Sequence, residues 1–179
     1  MLIIDMMSEW RFPSSEPLLR HAARIAPAIE ALRARCDAVG VPVVYVNDNH
    51  GRWRSDLRKV VQDACAQEGP GGDIARSLAP RERDYFVLKP KHSGFYATPL
   101  ELLLRHLHVG QLILTGVSTE HCVSMTATDA CMRDFKVWCP ADGVASHTPA
   151  LRDRTLTQLQ ESLCICTDPS PSLRLPELV

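Results

Sequence analysis

Net charge is nearly absent from this 179-residue chain: 20 Lys and Arg face 21 Asp and Glu, a formal charge of -1. No global basic field therefore recruits nucleic acid or an anionic membrane, and the partner expected is a small-molecule substrate. Long apolar runs are missing too, the longest falling far short of the ~20 residues a membrane span needs. Paired cysteine motifs are missing as well. Cys36, Cys65, Cys122, Cys131, Cys139, Cys164 and Cys166 are odd in number and contain no CxxC, so free thiols in a reducing cytoplasm are the simplest reading. There is no GxGxxG, P-loop, HExxH or GxSxG pattern, which removes the commonest nucleotide, zinc-protease and serine-hydrolase readings. No signal-peptide pattern opens the chain. Met1-Leu2-Ile3-Ile4 begins with no polar lead-in, so a native start further upstream is an expectation.

What is present describes a globular domain: 45% hydrophobic and 23% charged residues over a length that predicts one domain, 1–179. Short continuous apolar runs alternate with longer amphipathic ones, the pattern of a parallel sheet flanked by helices. Strands are predicted at Leu2–Ile4, Pro42–Val46, Tyr85–Leu88, Leu112–Thr115, Lys136–Cys139 and Leu163–Cys166. Helices are predicted over Glu16 to about Val39, near Ile74–Leu78, and at Thr98–His106, Cys122–Asp134 and Leu151–Ser162. The Pro- and Ser-rich tail from Asp168 is read as lying over the surface or reaching a neighbouring subunit. The fold class is α/β, a three-layer α-β-α sandwich with a six-stranded, mostly parallel, Rossmann-like sheet. Such sheets bind ligands beyond the carboxyl ends of their strands. Asp5, Asp48, Lys89 and the segment from Gly116 to Cys122 all fall at such ends.

Cys122 follows a strand-to-helix turn, where the positive end of a helix dipole and a nearby Lys89 ammonium favour thiolate. The same turn aims backbone N–H groups at one point, a natural oxyanion site. A cysteine there is equally accounted for as a packed one. Asp5 ends an otherwise apolar strand and needs a partner, for which Lys89 is the obvious choice. It is either half of a structural ion pair or a general base tuned by burial and the lysine. Asp48 and His50 could supply two metal ligands, but a competent site needs a third. A turn-forming cluster is the better reading, and no metal is expected. Adjacent residues on a helix project about 100° apart, so His121 is read as pocket wall or surface rather than as the base of a dyad. Trp10, Phe12, Trp53, Phe95 and Tyr96 lie in loops near strand ends and are candidate pocket residues.

These segments resemble the isochorismatase-like cysteine hydrolase family. Leu2-Ile3-Ile4-Asp5-Met6 resembles its opening strand, and the run from Lys89 through Ser93, Phe95, Thr98 and Leu100 resembles its lysine segment. Gly116-Val117-Ser118-Thr119-Glu120-His121-Cys122-Val123, continued by Thr126, Ala127, Asp129 and Ala130, resembles its cysteine segment. Asp142-Gly143-Val144 resembles the Asp-Ala-Val after its fifth strand, so the likeness runs from residue 1 to about residue 167. The resemblance implies a catalytic set of Asp5, Lys89 and Cys122. It also implies oxyanion donors at the Ser118 and Cys122 backbone N–H groups, a cis peptide at Val117–Ser118, no cofactor, and assembly as a homodimer or homotetramer.

The activity implied is cleavage of a carbon–nitrogen bond through a thioester. The same fold also hosts vinyl-ether hydrolysis and binding or redox proteins. Departures from the family pattern are Met7 for its usual Gln, Ser8-Glu9 for its Asn-Asp, and Glu120 for its Asp. The further histidine that completes the nicotinamidase metal motif is missing. The substrate is left open.

Overall fold

The computed structural model describes residues 1–175 apart from 50, 52 and 55. Five parallel strands lie side by side: β1 (Leu2–Ile4), β2 (Val44–Asp48), β3 (Tyr85–Lys89), β4 (Gln111–Val117) and β5 (Lys136–Trp138), in the order β3-β2-β1-β4-β5. A sixth, β6 (Val144–Ala145), pairs with the far end of β4. β4 thus shares one edge between two partners: Gln111–Ile113 pair with β5 and Gly116–Val117 with β6.

This corrects the sixth strand expected at Leu163–Cys166. Leu163 is still the last residue of helix α6 (Pro149–Leu163), and Cys164 ends that helix with a left-handed φ of 53°. Only Cys166 reaches the sheet, as an isolated parallel bridge to Trp138. The tail does not leave the chain up to residue 175: Arg35 donates to the Ser170 and Leu173 carbonyls at 2.7 and 2.6 Å.

Alternation along each strand sorts side chains into two cores. Ile3 and Tyr45 face one layer, where α1 (Ser15–Ala38) buries Ala22, Ile29 and Leu32, and α3 (Pro70–Ser77) buries Ile74 and Ala75. Leu2, Ile4, Val44 and Val46 face the other. There α4 (Leu100–His106), α5 (Ser124–Cys131) and α6 contribute Leu100, Ala127, Ala130, Leu156 and Leu159. Each fully buried Leu or Ile is worth about 1.5–3 kcal/mol. A further helix, α2 (Leu57–Cys65), is capped by Asp56, whose side chain accepts from Lys59 N at 2.9 Å. Among the described residues no helix is long and apolar enough to cross a membrane.

The sheet brings the strand ends together. Ile4 stands opposite Val46 on one side and Gly116 on the other, and Asp48 opposite Lys89. Gly116 has φ +107°, and a Cβ there would lie 2.0 Å from the Ile4 carbonyl oxygen. Only glycine lets β4 approach β1 this closely as the chain turns toward the cysteine.

Candidate active site

Asp5 is the first residue past β1 and takes a left-handed φ of 53°. Its Oδ1 accepts the Asp48 backbone N–H at 2.7 Å, and its Oδ2 lies 2.9 Å from Lys89 Nζ. Lys89, the last residue of β3, is fully buried. Its ammonium also lies 3.3 Å from Asp48 Oδ2 and 3.3 Å from Cys122 Sγ. Three strand ends and the cysteine segment thus converge on one cation.

Cys122 does not open a helix. It lies in a π-helical turn, Thr119–Val123, that precedes α5. The Ser118 carbonyl holds this turn by accepting from both His121 N and Val123 N at 3.2 Å, and the Val117–Ser118 peptide is cis. The lysine loop is laced to α5 behind it. Gly94 N donates to Thr126 Oγ1 at 2.9 Å, Thr126 Oγ1 donates to the Cys122 carbonyl at 2.6 Å, and Ser93 donates to Asp129.

The electrostatics correct the expectation of a favoured thiolate. Burial first, and then the Asp5 carboxylate, push the Cys122 thiol well above the ordinary cysteine range, and the Lys89 ammonium offsets only part of this. Burial alone would lower Lys89. Asp5, the Cys122 sulfur and Asp48 outweigh it and hold the ammonium above the ordinary lysine range. These directions favour a charged lysine beside a thiol that burial keeps from ionising readily, and Asp5 is the carboxylate that stands closest to the lysine.

The other candidates scatter. Trp10 is buried in the first core, tilted against Phe12, and Phe95 is buried in the second against Phe135 at 5.9 Å. Neither is a free pocket wall. Trp53 is 80% exposed. Tyr96 is also exposed and lines a cavity of about 810 Å³ with His92, Met125 and Gln158. His121 is half exposed, stacked on His92 with ring centroids 5.3 Å apart. Asp48, read as a turn former, is a partner of Lys89. His50 lies outside the described residues, and among those described no three His, Cys, Asp or Glu side chains form a group that could hold a metal. The neighbour that sequence reading missed is His92, whose Nδ1 is 3.6 Å from Cys122 Sγ. No spacing signal marks it.

Comparison with known proteins gives a consistent answer. The family model described as the isochorismatase domain matches residues 1–169. The chain is 36% identical over 163 residues to the uncharacterized isochorismatase family protein YaaI of Bacillus subtilis (strain 168), covering 91% of this chain and 89% of that protein. It is 24% identical over 160 residues to N-carbamoylsarcosine amidase of an Arthrobacter species, covering 83% of this chain and 60% of the amidase. Among solved structures, an isochorismatase-like hydrolase from Alkaliphilus metalliredigens matches with a TM-score of 0.76 at 26% identity, covering 96% of this chain and 91% of that one.

Proposed function

We propose, from the premise that this chain belongs to the isochorismatase family, that it is a cysteine hydrolase cleaving a carbon–nitrogen bond in a small amide, carbamoyl or ureido compound. The observation that carries this reading is the Lys89 ammonium standing 2.9 Å from Asp5 and 3.3 Å from the Cys122 sulfur.

Asp5 takes the thiol proton as the sulfur bonds to the substrate's carbonyl carbon. The carbonyl oxygen becomes an oxyanion received by the backbone N–H groups of Ser118 and Cys122. Lys89 keeps its proton throughout and compensates the charge that moves from carboxylate to sulfur. When the oxyanion collapses, the C–N bond breaks and the leaving nitrogen takes the proton from Asp5. Water then adds to the thioester and gives a proton to Asp5. The C–S bond breaks with its electron pair on sulfur, and Asp5 returns the proton to Cys122. No step draws on a cofactor. The reading places the protein in the cytoplasm as a homodimer or homotetramer; the exposed Leu102 and Met132 support assembly, and sedimentation tests it.

The test is ammonia release from a panel of small amides, ureido acids and carbamoyl compounds, wild type beside Cys122→Ala. Release that disappears in the variant is the expected result. No release from any compound, with Cys122 also slow toward an alkylating reagent, overturns the nucleophile and leaves vinyl-ether hydrolysis or ligand binding.

A further inference from the structure

The sulfur of Cys122 has two nitrogen neighbours, and the mechanism above uses only one of them. Lys89 Nζ approaches at 3.3 Å and is fully buried; His92 Nδ1 approaches at 3.6 Å from an exposed ring. Once Asp5 has taken the thiol proton the sulfur has none to give, so toward His92 Nδ1 it can only accept. The imidazole is held in place. Its ring stacks on His121 at 5.3 Å and 29°, and His121 Nδ1 is fixed by Ser118 Oγ at 3.2 Å and lies 3.9 Å from Glu120 Oε1. Ser93, the next residue, is tied to Asp129 and accepts from Phe95 N at 3.1 Å, so the loop carrying His92 is held against α5.

One cation is also thinly spread in this cluster. Lys89 faces Asp5, Asp48 and the sulfur together. Moving a proton from Cys122 to Asp5 puts a negative charge on sulfur while Asp48 still competes for the ammonium. A second N–H donor on the sulfur relieves that competition.

We propose that His92 is a further catalytic residue: its Nδ1–H donates to the Cys122 sulfur and stabilises the thiolate, with His121 as the ring that aims it. In the balance of the reaction the proton still passes from sulfur to an Asp5 oxygen and the electron pair stays on sulfur; His92 contributes a hydrogen bond and exchanges no proton. The same bond holds the departing thiolate when the thioester is cleaved. The catalytic use rests on the cysteine-hydrolase reading, whereas the hydrogen bond to sulfur does not.

The experiment measures alkylation of Cys122 by iodoacetamide in the native protein, read on its peptide by mass spectrometry, in wild type, His92→Phe and His92→Asn. Phenylalanine keeps the stack without a donor, and asparagine keeps an N–H near the Nδ1 position. A lost hydrogen bond to a charged group predicts about tenfold slower alkylation in His92→Phe and recovery of most of the rate in His92→Asn. Equal rates in wild type and His92→Phe, or equal losses in both variants, overturn the proposal. Ammonia release keeps the two readings apart. If wild type cleaves no amide, the reaction fails while the alkylation difference stands. If cleavage depends on Cys122 yet His92→Phe alkylates like wild type, the His92 assignment alone falls.

Discussion

Strand β3 carries a buried ion pair at each end, and the two differ in how they are closed. At its entrance Arg33 of α1 and Asp84 lie 2.6 Å apart, each side chain 2% exposed. Arg33 also donates to the Ala79 carbonyl at 3.0 Å and stands over the Tyr45 ring, leaving Nε as its one nitrogen with no partner among the described residues. Asp84 accepts the Arg81 backbone N–H at 2.7 Å. One cation meets one anion, and a neighbouring backbone group adds a further partner to each. At the exit, Lys89 meets two carboxylates and a thiol, and the carboxylates keep 15% and 27% of their side chains exposed. The first arrangement has no proton to move. The second has a thiol proton, a carboxylate to take it and an ammonium to balance the change. Burying a charged pair does not make a site; an unequal count of partners around one cation, open to solvent on one side, does.

Asp5→Asn breaks the exit pair at its base and carries the largest expected effect. Loss of a general base lowers kcat/KM about 10²–10⁴-fold on whichever panel compound is cleaved. Turnover like wild type would mean that the two ends of β3 differ in burial and nothing more.

Exchanging each cation sharpens the same contrast. Arg33→Met leaves Asp84 charged and sealed, and removing one member of a buried pair costs about 3–5 kcal/mol, read as a lower denaturation midpoint. Activity per folded molecule stays unchanged. Lys89→Met costs less stability, because Asp5 and Asp48 keep access to water, yet it abolishes turnover. Its sign with pH is fixed by the raised lysine: the stability it contributes is complete below about pH 10.4, its unfolded value, and is lost as pH rises through the higher folded value. A midpoint difference between wild type and Lys89→Met that shrinks in strong alkali checks this.

A smaller effect tests the frame behind the exit pair. Thr126→Val removes the acceptor of Gly94 N and the donor to the Cys122 carbonyl. Leaving buried groups unpaired costs about 1–3 kcal/mol. Gly94 allows the close approach, since a Cβ there would lie 2.9 Å from Val46. If the frame also positions the thiol, alkylation of Cys122 slows along with the loss of stability.

The exit site was largely legible because its members end strands. Asp5 and Lys89 are polar residues closing apolar runs, and Cys122 follows a strand and glycine. The order of elements followed from alternation, and the family likeness added the cysteine segment. What was not legible depends on distant contacts. β6 is two residues long and pairs where β5 has ended, so no apolar run announces it. α2 fully buries only Ala64, and its signals are short: the Asp56 cap and one helical repeat of Leu57, Val60, Val61 and Ala64 after a polar loop. His92 reaches the sulfur because Ser93 and Gly94 are pinned to α5, a contact more than thirty residues away in sequence. Trp10 and Phe95 share the loop-at-strand-end pattern with Tyr96, and packing alone buries the first two and exposes the third.

Glu120 gives the finest probe, since it joins the cysteine turn yet belongs with the closed kind of pair. Its Oε1 lies 2.8 Å from His147 Nδ1. Burial would raise its carboxyl, but the Ser146 hydroxyl and the His147 ring beside it prevail and hold it below the usual range. A depressed carboxylate contributes stability that is present above its unfolded pKa, about 4.3, and is lost as pH falls through the folded value. Glu120→Gln replaces a charged acceptor by a neutral one at a cost of about 1 kcal/mol near neutrality. The gap from wild type should close in acid, which denaturation at a series of pH values will show. If Glu120 is structural in the sense of Asp84, alkylation of Cys122 stays as in wild type. A clear change in that rate would make Glu120 part of the exit site, acting through His121 and His92, and the boundary between the two kinds of buried charge would have to move to include it.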